Sequence, residues 1–400
     1  MAVTLVGCQT TNVSSPSSRI DASAIELTAD SSGSARDFIS VPVSFDDDAG
    51  GYMMPIQAGA NETSVLLDTG SSNLLFGGAG CHGCPVEGYK PSAPCVNYGT
   101  VTVDADNCDM RPGDDFRMSY DDGGHAEAKQ ICDVLSLGGA DGKQLTFGVM
   151  TSSVDVPQMA GLGFWGNAEP GSQPLCPLKN WVAAAYDLDY RFELQFCRKK
   201  PTGYIRFGTA AYPASDYHFF DMLRTRVGEN ELFIDYRIEL DSLVGVIGNS
   251  VTTIGSFDVP DVKVYYPIID SGTTDLVVTA GMMKALVPYL SRNGPEKLYA
   301  SGSDYYVKVS SSSDIAAFPR LAIQRGDTRI EIPPENYWKL IDRTAFSSIY
   351  ELRIYAMADP SDDVLLGLPL LENVNAVFDT NKAQLGFRQL DTQTWVVCNR

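Results

Sequence analysis

From Phe38 onward the chain runs in short apolar stretches, each broken by Gly, Asp or Asn. "FISVPVSF" (38–45), "GYMMPIQA" (51–58) and "TSVLLD" (63–68) have the length of strands and stop at turn residues. The same texture returns in "DDFRMSYDDGG" (114–124), "AEAKQICDVLSLGG" (126–139) and "QLTFGVMTS" (144–152). Helical spacing is scarce. It predicts helices over 177–188 ("PLKNWVAAAYDL"), 279–292 ("TAGMMKALVPYLSR") and 334–342 ("PENYWKLID"), the last with a proline at its start. The pattern predicts an all-β protein.

It also repeats. Residues 66–75 read "LLDTGSSNLL" and residues 268–277 read "IIDSGTTDLV". Each places an aspartate behind two bulky apolar residues and follows it with hydroxyl, glycine and two more hydroxyls. Each is echoed later by apolar-apolar-Gly, in "MAGLG" (159–163) and "LLGLPLL" (365–371). Strand-like segments, "YIRFGTA" (204–210) and "AQLGFRQL" (383–390), close the two halves. A single Asp-hydroxyl-Gly is common; a matched pair half a chain apart, with the same flanks and the same echo, implies two lobes of one design. We divide the chain into a leader (1–37), an N-terminal lobe (38–213) and a C-terminal lobe (214–400).

Composition narrows the function. Of 400 residues 44% are hydrophobic and 20% charged, with 36 glycines and 22 prolines, which suits an ordered, turn-rich chain with more than one core. The net charge of −20 argues against nucleic acid or an anionic membrane surface as partner. No apolar run reaches the roughly 18 residues of a membrane-spanning helix.

Cys8 stands apart in the leader, and eight further cysteines could form four disulfides, as in an oxidising compartment. Four of these, Cys81, Cys84, Cys95 and Cys108, could instead hold zinc, and "CHGC" could be a redox pair. "LVGC" (5–8) is similar to a bacterial lipobox, which would lipidate Cys8, although the basic and long apolar segments that precede such a motif are missing. The Ser- and Thr-rich residues after it read as a tether.

An aspartate at the end of an apolar strand is costly unless it is held. If the two loops meet, Thr69 and Ser271 can pin them together, Gly70 and Gly272 let backbone N–H groups approach the carboxylates, and Ser71 and Thr273 can donate to their outer oxygens. Two adjoining carboxylates cannot both be charged; they share a proton and provide a general acid beside a general base. Such a pair can activate water and polarise a carbonyl with neither metal nor cofactor. No G-x-S-x-G or H-E-x-x-H occurs, which argues against serine hydrolase and zincin chemistry.

These motifs resemble those of the pepsin-like aspartic endopeptidases over residues 38–398, down to "AVFDTNKAQLGF" near the end. The resemblance implies a bilobal β fold with Asp68 and Asp270 as the catalytic pair in the interlobe cleft. It also implies a monomer acting at acidic pH on an extended peptide or unfolded protein, outside the cytoplasm. Residues 117–139 match the family's flap hairpin, with Tyr120 as the flap tyrosine.

There are departures. Tyr-Asp-Asp-Gly-Gly stands where Tyr-Gly-x-Gly is usual, so Asp121 and Asp122 charge the flap. Leu75 occupies a position where many relatives carry tryptophan, which leaves the partner of the Tyr120 hydroxyl open and reshapes a pocket. Asp275, next to Thr274, adds an acid beside the site. Residues 9–37 hold only Arg19 and Arg36 as positive charges, so no basic prosegment is read there and activity is expected without its removal. Some relatives have become inactive binding proteins; the intact D-T-G and D-S-G argue for an enzyme.

Overall fold

The computed structural model describes residues 37–92, 115–120, 123–164, 177–198, 203–227, 230–259, 263–344, 346–360, 362–391 and 394. Cys8, Asp121, Asp122, Cys95, Cys108, Cys176 and Cys398 lie outside these ranges.

The apolar runs of the first half become β1 (Phe38–Asp46), β2 (Gly51–Ala58), β3 (Asn61–Asp68), β4 (Leu74–His82), β5 (Asp115–Ser119), β6 (His125–Ser136), β7 (Lys143–Val154), β8 (Met159–Gly161), β9 (Arg191–Gln195) and β10 (Gly203–Gly208). They join a thirteen-stranded sheet. Its far end is built by second-half strands: Val374–Asp379 lies beside β9, with Gln384–Gln389 and then His218–Asp221 beyond it. Register brings Phe378 opposite Phe192, and their rings stack at 4.5 Å. The two halves are therefore joined by a continuous ladder and a shared aromatic core. Tyr236, fully buried, sits edge-on to Phe378 at 4.7 Å.

The other second-half strands gather in smaller sheets. One pairs Ile268–Ile269 in parallel with Leu365–Leu366 and also contains Leu276–Val278 and Ile354–Ala356. This repeats the first half, where Leu66, Leu67 and Asp68 run parallel to Met159, Ala160 and Gly161. The echo motifs are thus the strands that carry each aspartate's loop.

The helix α1 (Leu178–Tyr186) forms within the expected span and ends where Asp187 turns left-handed, at φ 53°. α2 (Ala280–Asn293) starts on Thr279, whose hydroxyl accepts from Met282 N at 3.1 Å. The expected helix over 334–342 is corrected: only Pro334–Tyr337 is helical, and Trp338–Arg343 is a strand paired with Ser348–Leu352. Proline starts a turn readily, but Leu340 and Ile341 have no core to bury against, staying 43% and 49% exposed. Cross-strand pairing supplies the hydrogen bonds a longer helix would have made.

Cys81 and Cys84 are joined to each other, which takes both sulfurs out of the zinc alternative. Cys132 and Cys197 are disulfide-bonded as well.

Candidate active site

Asp68 ends β3, and Asp270 follows the strand Ile268–Ile269. Parallel partners fix both strand ends in rigid apolar surroundings, and the loops that leave them meet. The Thr69 hydroxyl donates to Ile269 O at 2.8 Å, and the Ser271 hydroxyl donates to Leu67 O at 2.9 Å. Each hydroxyl also accepts the other loop's backbone N–H: Ser271 N reaches Thr69 Oγ1 at 2.9 Å and Thr69 N reaches Ser271 Oγ at 3.1 Å. Both side chains are fully buried. Four bonds related by an approximate two-fold hold the loops in one register.

Within this clasp the carboxyls touch. Gly70 N donates to Asp68 Oδ1 at 2.8 Å and to Asp270 Oδ1 at 3.1 Å; Gly272 N donates to Asp270 Oδ1 at 2.8 Å. The glycines are required by space as well as by the turn. A Cβ on Gly70 would lie 2.8 Å from the Asp270 carboxyl carbon, and one on Gly272 would lie 2.5 Å from Asp68 Oδ1. Each glycine makes room for the opposite aspartate.

The outer oxygens differ. Thr273 Oγ1 donates to Asp270 Oδ2. Ser71 Oγ lies 3.0 Å from the sulfur of Met159 and is also near enough to Asp68 to favour its charged form. Burial, then the charge of Asp270, push Asp68 well above the usual carboxylate range. The shared proton accordingly belongs on Asp68. Asp270 accepts from Gly272 N, Gly70 N and Thr273 Oγ1.

A family model with the description Eukaryotic aspartyl protease matches residues 51–390. The chain belongs to this family. It is an aspartic-type endopeptidase with the mostly β, bilobal pepsin-like fold. It is similar to Candidapepsin-3 of Candida albicans (strain WO-1), 25% identical over 361 residues that cover 88% of this chain and 83% of the relative. Secreted aspartic protease 7 of Candida albicans is 26% identical over 348 residues, covering 80% of this chain and 56% of the relative. A probable aspartic-type endopeptidase, opsB, of Aspergillus oryzae is 30% identical over 118 residues, 29% of this chain and 23% of the relative. The relatives are fungal; they lend no support to a bacterial lipoprotein.

Around the aspartates of this pepsin-like chain, β5 and β6 form a hairpin whose tip holds Tyr120. Tyr120 N donates to Gly124 O at 2.8 Å, and its hydroxyl lies 3.5 Å from Met159 Sδ. Beneath it, Leu75, Met118, Ala126, Ala128, Met150 and Met159 form a small apolar cluster apart from the main core. Leu75 is fully buried there, so its influence on any pocket is indirect.

Behind the Asp270 loop lies a group that sequence reasoning missed. Arg353, 1% exposed, contacts Asp275 Oδ1 at 3.2 Å, Glu372 Oε2 at 3.0 Å, Asn336 O at 2.8 Å and Thr274 O. Glu372, equally buried, also takes Tyr52 OH at 3.3 Å and Arg198 at 3.5 Å. Thr274 Oγ1 donates to Gly50 O at 2.8 Å, tying the loop to the first half. Burial raises the Asp275 carboxyl despite the opposing Arg353 charge, and this side chain is 23% exposed. A lone Arg in "ELRIYA" carries no signal of this role; its partners come together only through the fold.

Proposed function

We propose that Asp68 and Asp270 are the catalytic pair, acting on peptide bonds of extended polypeptides through one shared water. The observation that carries this reading is the bond from Gly70 N to both carboxyls, inside the reciprocal Thr69–Ser271 clasp. The ionised Asp270 takes a proton from the bound water as it attacks the carbonyl carbon. Protonated Asp68 donates to the carbonyl oxygen, giving a neutral tetrahedral diol. Reversal of the roles then delivers a proton to the leaving amine. No covalent intermediate forms on the chain, and no metal or cofactor is called for.

In this reading Thr69, Gly70, Ser71, Ser271, Gly272 and Thr273 hold the pair. Tyr120 and its hairpin cover the substrate, while Thr274 and Asp275 face it from the other side; Asp121, expected from sequence beside Tyr120, lies outside the described residues. Residues 38–213 and 214–400 are the two lobes. The substrate lies extended between them, bound through its backbone, with apolar residues flanking the cut bond. The names of the Candida relatives support a secreted, extracytoplasmic location; that the chain acts as a monomer is our reading, and lipid attachment at Cys8 has no support from them. Among the described residues no helix is long and apolar enough to cross a membrane.

Activity falls toward neutral pH, because the pair then loses its shared proton. The test is cleavage of denatured haemoglobin or casein from pH 3 to 8, with and without pepstatin. We expect an acidic maximum, inhibition, and loss of activity in both Asp68→Ala and Asp270→Ala. A maximum above pH 7, or activity surviving either substitution, would overturn the assignment.

A further inference from the structure

Two donors from separate parts of the molecule converge on one sulfur. The Ser71 hydroxyl, in the loop that carries Asp68, lies 3.0 Å from Met159 Sδ; the Tyr120 hydroxyl, at the hairpin tip, lies 3.5 Å from the same atom. Met159 is buried, 6% exposed. Its backbone is held on both sides, opposite Leu66 in β3 and opposite Leu75 in β4. A thioether sulfur accepts hydrogen bonds but has none to give. At this point it is the acceptor that decides where two hydroxyl protons go.

We propose that Met159 is a positioning residue for the reaction: its sulfur receives the Ser71 proton and seats the Tyr120 phenol, linking the Asp68 loop to the hairpin above it. This rests on Asp68 and Asp270 being the catalytic pair. Ser71 has one proton. While it points at sulfur it is not given to the Asp68 carboxylate. The sulfur thus weakens the one Ser71 bond that favours the charged form and leaves the acid more readily in its donating form. Without an acceptor at 159 the Ser71 hydroxyl turns to Asp68 and stabilises the carboxylate instead. The charged group facing Asp68 is Asp270. Met159 packs among Leu75, Met118, Ala126, Ala128, Met150, Val156 and the phenol of Tyr120; among the described residues of β5 and β6 the ionisable groups, Asp115, Arg117, His125, Glu127, Lys129 and Asp133, lie outside that apolar cluster. The same sulfur seats the Tyr120 end of the hairpin on the apolar cluster beneath it.

The test is kcat/KM against pH on denatured haemoglobin for the wild type, Met159→Leu, Ser71→Ala and the double variant. Met159→Ile provides a second probe of the same size. Leucine conserves volume and removes only the acceptor. We expect the neutral-side limb of the Met159→Leu profile to move down by about one pH unit, the scale of one hydrogen bond to a charged group. In the Ser71→Ala background the same substitution should leave the limb in place. KM should rise in Tyr120→Phe and rise no further when Met159→Leu is added. A Met159→Leu limb that stays put, or one that moves equally without Ser71, overturns the proposal. Asp68→Asn, run alongside, separates the two levels: full activity in that variant would overturn the catalytic pair itself, whereas an inactive Asp68→Asn with an unmoved Met159→Leu limb overturns only the role of the sulfur.

Discussion

The Asp68 loop and the Asp270 loop share an inner frame and differ in everything behind it. Both use a strand end, a buried hydroxyl, a glycine and a parallel echo strand. The Asp270 loop is then braced by charge: Arg353 holds Thr274 and Asp275 and is itself held by buried Glu372. The Asp68 loop is braced by apolar packing and a sulfur, with a hairpin resting on top. One loop is braced by buried charge and the other by apolar contacts and a sulfur.

The largest expected effect tests the charged brace. Arg353→Met leaves Glu372 and Asp275 without their main partner and should cost about 3–5 kcal/mol of stability in denaturant unfolding. Replacing Glu372 as well, by leucine, should recover part of that loss. If Arg353→Met costs under about 1 kcal/mol, the level of an exposed ion pair, the brace is ornamental. Next come the crosswise glycines. Gly272→Ala and Gly70→Ala should each cut kcat/KM by about 100-fold, since small misplacement of reacting groups carries penalties of that size. Gly272→Ala should be the worse of the two, because its Cβ meets Asp68 Oδ1 at 2.5 Å. Equal, mild effects would mean that the loops relax independently.

A smaller difference separates the outer hydroxyls. Thr273→Val removes a donor committed to Asp270 and should lower kcat/KM about tenfold. Ser71→Ala removes one divided between Met159 and Asp68 and should cost less, about threefold. The reverse order would mean that the two halves are not braced as described. The smallest effect is on stability against pH. Asp68 is raised in the folded state above its unfolded value, so its contribution is full below about pH 4 and is lost as pH rises through the folded value. Asp68→Asn should therefore match the wild type in Tm near pH 3 and exceed it near pH 7. A Tm deficit at pH 7 would place the proton elsewhere.

The residues that were legible beforehand are those whose meaning is local or repeated. Two copies of one motif exposed the aspartates, the hydroxyl clasp and the glycines, and short apolar runs between turn residues exposed most strands of the first half. Helical spacing over 279–292 exposed α2, although the capping role of Thr279 emerged only in the structure. The segment after Tyr337 misled, because a proline and three apolar residues look the same ahead of a helix turn and of an exposed hairpin strand. Arg353, Glu372 and Met159 stayed silent for another reason. Each is an ordinary residue in its own stretch and gains its role from neighbours far away in the chain. Tyr120 was placed by resemblance, but the partner of its hydroxyl lay in "MAGLG", a motif read only as an echo.

The glycine that yields space to the opposite acid has a further consequence. Neither half contains a complete cavity for its own carboxyl; each stores the mould of the other's. A mutation that reshapes one loop is felt first across the seam, so the two loops are bound to drift together or not at all. What looks like duplication in the sequence is, at the level of atoms, a mutual dependence that forbids either copy from wandering alone.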